Sequence, residues 1–215
     1  MTPRFSRRLW RHHLPLAVIF GLCALVLYVT RPYPDVISRL SFATAYPALA
    51  LLGLTLAIGP WRILEGKTAA LSLDLRRDVG IWAGFFGILH AGIGQFVHLR
   101  GRPWLYYVYE NWRDRRLPFR HDLFGAANAT GLAAAIVLLT LLAMSNDASL
   151  RRLGAPRWKH WQRWNYACFG FTALHCFLYQ LGVESQKLPF IIAAILCVTT
   201  TVLLQAAGYS RYAQR

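Results

Sequence analysis

A 215-residue chain that is 56% hydrophobic, 14% aromatic and only 15% charged is too apolar for an ordinary soluble domain, where about a quarter of residues carry charge. Its net charge of +15 does not describe a nucleic-acid surface, because the arginines gather at the ends of long apolar runs and not on one soluble face. What remains is an all-α polytopic membrane protein, six transmembrane helices in one bundle, forming a single domain over residues 1–215.

In chain order, a basic head over residues 1–13 precedes the first predicted helix, roughly 14–30. No small-x-small cleavage site follows, so this run is expected to span the membrane and not to be a signal peptide. The second helix is expected over roughly 41–59, with Pro47 kinking it. A basic loop, 60–78, leads to the third helix, roughly 79–97. The longest connection, 98–122, holds the aromatic run WLYYVYENW and six arginines. Trp104, Tyr106, Tyr107, Tyr109 and Trp112 are expected to anchor it as an aromatic belt, or else to form a docking surface for an outer-face partner. The fourth helix is expected over roughly 123–144, a basic loop over 145–163, the fifth helix over roughly 164–182 and the sixth over roughly 188–208.

With the N-terminus inside, the cytoplasmic segments carry 15 Lys/Arg and the outer segments 9. The bias predicts both termini in the cytoplasm and a place in the bacterial inner membrane, in contact with lipid. Four cysteines, Cys23, Cys168, Cys176 and Cys197, lie inside apolar runs without a CxxC pair, and read as small buried hydrophobes. Neither a strand–GxGxxG–helix unit nor a Walker loop is present, so a nucleotide domain is not expected. The nine acidic residues are scattered in loops, and no residue is assigned as catalytic.

Of seven histidines, only His90 and His175 lie deep in apolar runs. An ionisable group in hydrocarbon is costly, which makes each a functional candidate. Each stands about 11 residues into its helix, roughly 16–17 Å from the cytoplasmic end at 1.5 Å per residue. The two helices run in the same direction, so the histidines are expected at matched depth. Two imidazoles so placed suit the axial positions of a haem iron, whereas zinc would need further ligands that this depth does not supply. Gly80, Gly84, Gly87, Ala91 and Gly94 make one small-residue face on the third helix, with Gly87 and Gly94 on the His90 side. That face either lets a porphyrin approach or makes a close helix–helix contact. The histidines could instead be satisfied by interhelical hydrogen bonds, with Thr172 or Tyr179 as partners of His175. Both sit in a similar short pattern, LHAGIGQ and LHCFLYQ.

Three stretches carry a family resemblance: RRDVGIWAGFFGILH at 76–90, LRRLGAPRWKHWQRWNY at 150–166, and Leu174–His175. They resemble the ferric-reductase-like transmembrane domain family, and within it the haem-binding membrane subunits of the bacterial methionine-sulfoxide reductase system (the MsrQ or YedZ type). The resemblance covers roughly residues 45–185 and implies His90 and His175 as ligands of one haem b. The family usually has a further histidine where this chain has Gln162, which puts a second haem in doubt. The resemblance also implies electron transfer from a cytoplasmic quinol or flavin donor (quinone or FMN being the accompanying cofactors) to a periplasmic reductase or a larger membrane complex. Haem propionates would then reach toward Arg100, Arg102, Arg120 and His121. Two rival readings stay open: a structural subunit that keeps the fold without electron transfer, and a small transporter.

Overall fold

The structure, a computed structural model, describes residues 3–31, 33–66, 73–99, 101–183 and 188–214. Seven helices dominate it. They are α1 (Leu14–Thr30), α2 (Val36–Leu64), α3 (Leu73–Gly94), α4 (Leu123–Met144), α5 (Asp147–Gln162), α6 (Trp164–Leu178) and α7 (Leu188–Ala213). A short helix, Pro3–Arg8, and a π-helical turn, Leu9–His13, lead directly into α1. Another π turn, Tyr179–Val183, continues α6. Among the described residues the only β-pairing is an isolated bridge, Val108 to Phe119.

Among the described residues, five helical segments are long and apolar enough to cross a membrane: Ser6–Thr30, Val36–Leu64, Leu123–Met144, Asp147–Val183 and Leu188–Ala213. α3 carries Asp74, Arg76, Arg77 and Asp78 in its first two turns, yet it packs between α2 and α4 at the centre of the bundle. The six predicted crossings therefore correspond to α1, α2, α3, α4, α6 and α7. Large apolar side chains on the outward faces, among them Val18, Leu22, Val26, Ile136, Leu196 and Leu203, are exposed, as lipid-facing side chains are.

Several boundaries differ from the sequence expectation for local reasons. α2 begins earlier, because Asp35 caps it by accepting from the Ser38 N–H at 2.8 Å. It also runs on past Pro60 to Leu64, with Pro47 buried inside it. α3 begins in the basic segment at Leu73 and stops at Gly94. The expected basic loop 145–163 is mostly helix. Asn146 caps α5 through the Ser149 N–H, and a break falls at Gly154, whose φ of 72° suits glycine, two residues before Pro156. Arg100, singled out in the sequence, lies outside the described residues.

The solid part of the core lies toward the start of α3. Val79 and Phe86 pack there with Leu51 and Leu56 of α2, Leu141 of α4, and Cys168 and Phe169 of α6. Small residues set the helix spacing. A Cβ on Gly84 or Gly87 would meet Leu142 Cδ1 at 2.9 Å or Leu138 Cδ2 at 2.3 Å, so these two glycines admit leucines of α4. Gly208 of α7 likewise sits against Pro60 of α2.

Segment 101–122 is folded back onto the bundle. Tyr106 is buried and its hydroxyl donates to the Gly94 carbonyl at 2.9 Å while accepting from the His98 N–H at 2.8 Å. Tyr107 donates to Gln95 Oε1 at 3.2 Å. Trp104, Trp112, Leu117 and Phe119 point outward and are exposed. The expected belt thus divides: the tryptophans face out, and Tyr106 and Tyr107 close over the helix ends, because each phenol finds a backbone or amide partner inward. Burial raises both phenols above their usual range.

Candidate functional site

α3 and α6 bring His90 and His175 together, with ring centroids 6.1 Å apart and planes inclined at 68°. Each ring is held at Nδ1 by a backbone carbonyl of a neighbouring helix. His90 Nδ1 lies 2.9 Å from the Ser41 carbonyl oxygen of α2, and His175 Nδ1 lies 2.7 Å from that of Ala127 in α4. A carbonyl only accepts, so Nδ1 carries the proton on both rings and Nε2 is the lone-pair nitrogen. The two carbonyls are similarly furnished. Ser41 O also accepts from Thr44 Oγ1 at 3.0 Å, and Ala127 O from Thr130 Oγ1 at 2.8 Å.

The expected partners of His175 are corrected by this geometry. Thr172 donates to its own helix at Cys168 O, 2.8 Å away, and the Tyr179 hydroxyl donates to Asn128 Oδ1 at 2.8 Å. Tyr179 nevertheless flanks the site, its ring 5.0 Å from that of His175 and stacked on His98 at 6.1 Å. Gly131 of α4 completes the seat of His175: a Cβ there would stand 2.5 Å from Nδ1 and 2.7 Å from Cε1. Sequence reasoning missed Gly131. Its only signal was a glycine in an alanine- and leucine-rich helix.

Both histidines line a cavity of about 530 Å³ enclosed by α2, α3, α4 and α6. That volume suits a sizeable organic ligand. The walls are mostly apolar, with polar groups from Tyr46, Gln95, His98, Tyr107, Asn128 and Gln180. Gly87 and Gly94 are also on the wall. Gly94 leaves ordinary space beside Ser41, whereas Gly87 also makes the tight Leu138 contact.

The remaining candidates lie elsewhere. Arg102 is exposed and paired with Glu110 at 2.6 Å. Arg120 is paired with Asp122 at 2.5 Å, and its guanidinium lies 4.8 Å from the Phe124 ring. His121 is exposed, with its ring 5.4 Å from that of Tyr109. None of these three lines the cavity. Gln162, at the end of α5, has a buried Nε2 without a hydrogen-bond partner.

A second polar cluster closes the other end of the bundle. Asp78 of α3 is fully buried and binds Arg8, His12 Nδ1 at 2.7 Å and His13 Nε2 at 3.3 Å from the segment before α1. Among the described residues no group of three or more His, Cys, Asp or Glu gathers to hold a metal ion. The four cysteines are free.

No protein-family model matches the chain. Among curated proteins it is 32% identical over 176 residues to the protein-methionine-sulfoxide reductase heme-binding subunit MsrQ of Deinococcus radiodurans, covering 81% of this chain and 74% of that protein. To the MsrQ of Ralstonia nicotianae it is 29% identical over 184 residues, covering 85% and 78%. It is also 27% identical over 153 residues to the magnetosome protein MamZ of Magnetospirillum gryphiswaldense, where the match takes in 70% of this chain but 21% of that longer protein. A helical bundle with membrane-length helices, two histidines brought together on one cavity wall and identity spread over most of both chains lead to one assignment: the chain belongs to the MsrQ family of heme-binding subunits of protein-methionine-sulfoxide reductase.

Proposed function

We propose that this chain is the membrane-embedded electron-transfer subunit of a two-component reductase, and that His90 and His175 would hold one b-type haem in the cavity. The observation that carries the reading is the pair of Nδ1–H···O=C bonds to Ser41 and Ala127. They fix the tautomer in which both Nε2 atoms carry lone pairs, as paired metal-ligating imidazoles require. The spacing fits as well. The ring centroids stand 6.1 Å apart, close enough for both imidazoles to hold one metal centre. The Gly131 cradle, which a Cβ would fill, supports the same seat.

A bound haem supplies a one-electron iron couple. The chain's own contribution is orientation and burial. The carbonyl bonds fix the orientation of both imidazoles and raise their basicity as ligands. The apolar walls keep water from the site, and the folded segment 101–122 covers the end of the bundle nearest it. Reducing equivalents would come from a quinol or flavin on the cytoplasmic side and leave for a periplasmic reductase that performs the sulfoxide chemistry. The N-in, C-in arrangement in the inner membrane rests on the Lys/Arg distribution. A single haem is supported by the packed core toward the start of α3 and by Gln162 in place of the family histidine.

Purified from haem-replete cells, the protein is expected to show a Soret band and, on reduction, α and β bands. His90→Ala and His175→Ala each remove them. A colourless wild-type protein overturns the reading. If such a protein also co-purified stoichiometrically with a large membrane complex, the structural-subunit alternative would take its place.

A further inference from the structure

Beside the histidine pair, one polar contact is incomplete in a way that describes its missing partner. Gln180, five residues beyond His175, lies in the cavity wall and is only 4% exposed. Its Nε2 donates to the Tyr46 hydroxyl oxygen at 2.9 Å and to Cys176 Sγ at 3.1 Å. Its Oε1 is buried without a hydrogen-bond partner. Tyr46, also on the cavity wall, accepts this bond, and its own proton has no acceptor among the described residues. A buried polar atom left unpaired costs about 1–3 kcal/mol, so an orphaned acceptor next to an undirected donor on a cavity wall marks a place for a ligand group that both accepts and donates. Turning the amide over does not remove the mismatch. Oε1 would then take the Tyr46 proton and leave Nε2–H as the unpaired donor.

We propose that Tyr46 and Gln180 bind a propionic acid side chain of the macrocycle and so fix its orientation about the His90–His175 axis. This rests on the haem reading above. A carboxyl group is complementary to the pair in either amide orientation. As a neutral acid its carbonyl accepts from Tyr46 and its hydroxyl donates to Gln180 Oε1. As a carboxylate it accepts from Nε2–H. The surroundings favour a carboxyl group here. Tyr46 belongs to an aromatic box with Phe42 and Phe190, centroids 5.0 and 5.4 Å away. Behind that box the buried Arg31 guanidinium lies 4.2 Å from the Phe42 ring and 4.4 Å from the Phe190 ring. The arginines expected to bind propionates do not compete, since Arg102 and Arg120 are paired with Glu110 and Asp122. Arg100 lies outside the described residues.

The test is a binding titration of the full chain, produced in haem-starved cells and held in detergent, with haem b and with haem b dimethyl ester, read by the Soret shift. Wild type is expected to prefer haem b by about tenfold, the worth of one well-made buried hydrogen bond. Tyr46→Phe and Gln180→Leu are expected to narrow that preference to within about twofold while keeping the bis-imidazole spectrum. Equal affinity of wild type for acid and ester overturns the proposal and leaves the haem reading standing. A preference that survives in both variants overturns the assignment to these two residues. A wild type that binds neither compound overturns the haem reading itself. Should a variant fail to fold, the wild-type comparison of acid with ester still decides.

Discussion

The two halves of α3 treat buried polar groups in opposite ways. Near its start, Asp78 is fully buried and surrounded by Arg8, His12 and His13, and the layers above it are filled by Val79, Phe86, Leu51, Leu56 and Phe169. Near its end, His90 meets the Ser41 carbonyl at Nδ1 and lines a cavity that it shares with His175. In the first half, charge is neutralised and space is filled. In the second, Nδ1 of each ring is committed to a backbone carbonyl, and space is left. A group saturated by partners holds the fold together, whereas a lone-pair nitrogen at the wall of a cavity can take a ligand.

The sharpest way to break this contrast is Asp78→Ala. It leaves Arg8 and two histidines without their shared carboxylate, and breaking a buried pair costs about 3–5 kcal/mol. Thermal unfolding in detergent should show that loss, and the absorbance of the fraction still folded should be unchanged. An altered haem spectrum would instead make the packed half part of the redox unit. Next is Gly131→Ala, which places a methyl where the His175 ring now lies, 2.5 Å from Nδ1. Haem affinity is expected to fall about 10- to 100-fold, as for other losses of ligand orientation, with helix content by circular dichroism retained. Full affinity in this variant would show that His175 can leave its seat without consequence.

The smallest expected effect is at the start of α4. The Arg120 hydrogen bond holds the Asp122 carboxyl below its usual range, against partial desolvation and with help from the Gly125 N–H it caps. A carboxylate with a lowered folded-state pKa stabilises above its unfolded value, near pH 4, and that stabilisation disappears as pH falls through the lowered value. Melting temperatures should drop across that acid window in wild type and drop less in Asp122→Asn. The amplitude will be small, because the Asp122 side chain is 38% exposed.

Much of the bundle was legible from residue pattern alone, for a physical reason. In hydrocarbon the backbone must satisfy itself, so a long apolar run has few outcomes besides a helix. The basic segments were harder to read. The stretch 145–163 looked like a loop because its charges obscured an amphipathic helix capped by Asn146. The tyrosines of 101–122 looked like interface anchors because composition does not say which phenols will find an inward acceptor. Tyr106 and Tyr107 find Gly94 and Gln95 only once α3 ends where it does.

By itself the sequence determined that the chain is a helical membrane bundle with two histidines deep in apolar helices that run the same way. These follow from local rules: apolar length, the rise of a helix and the parity of crossings. Only the tertiary structure decided what surrounds those histidines. The Ser41 and Ala127 carbonyls lie 49 and 48 residues away in the chain, and Tyr46 meets Gln180 across 134. No spacing rule reaches that far, because such contacts are set by how helices pack, and here that packing is governed by where glycines let neighbouring helices and rings come close.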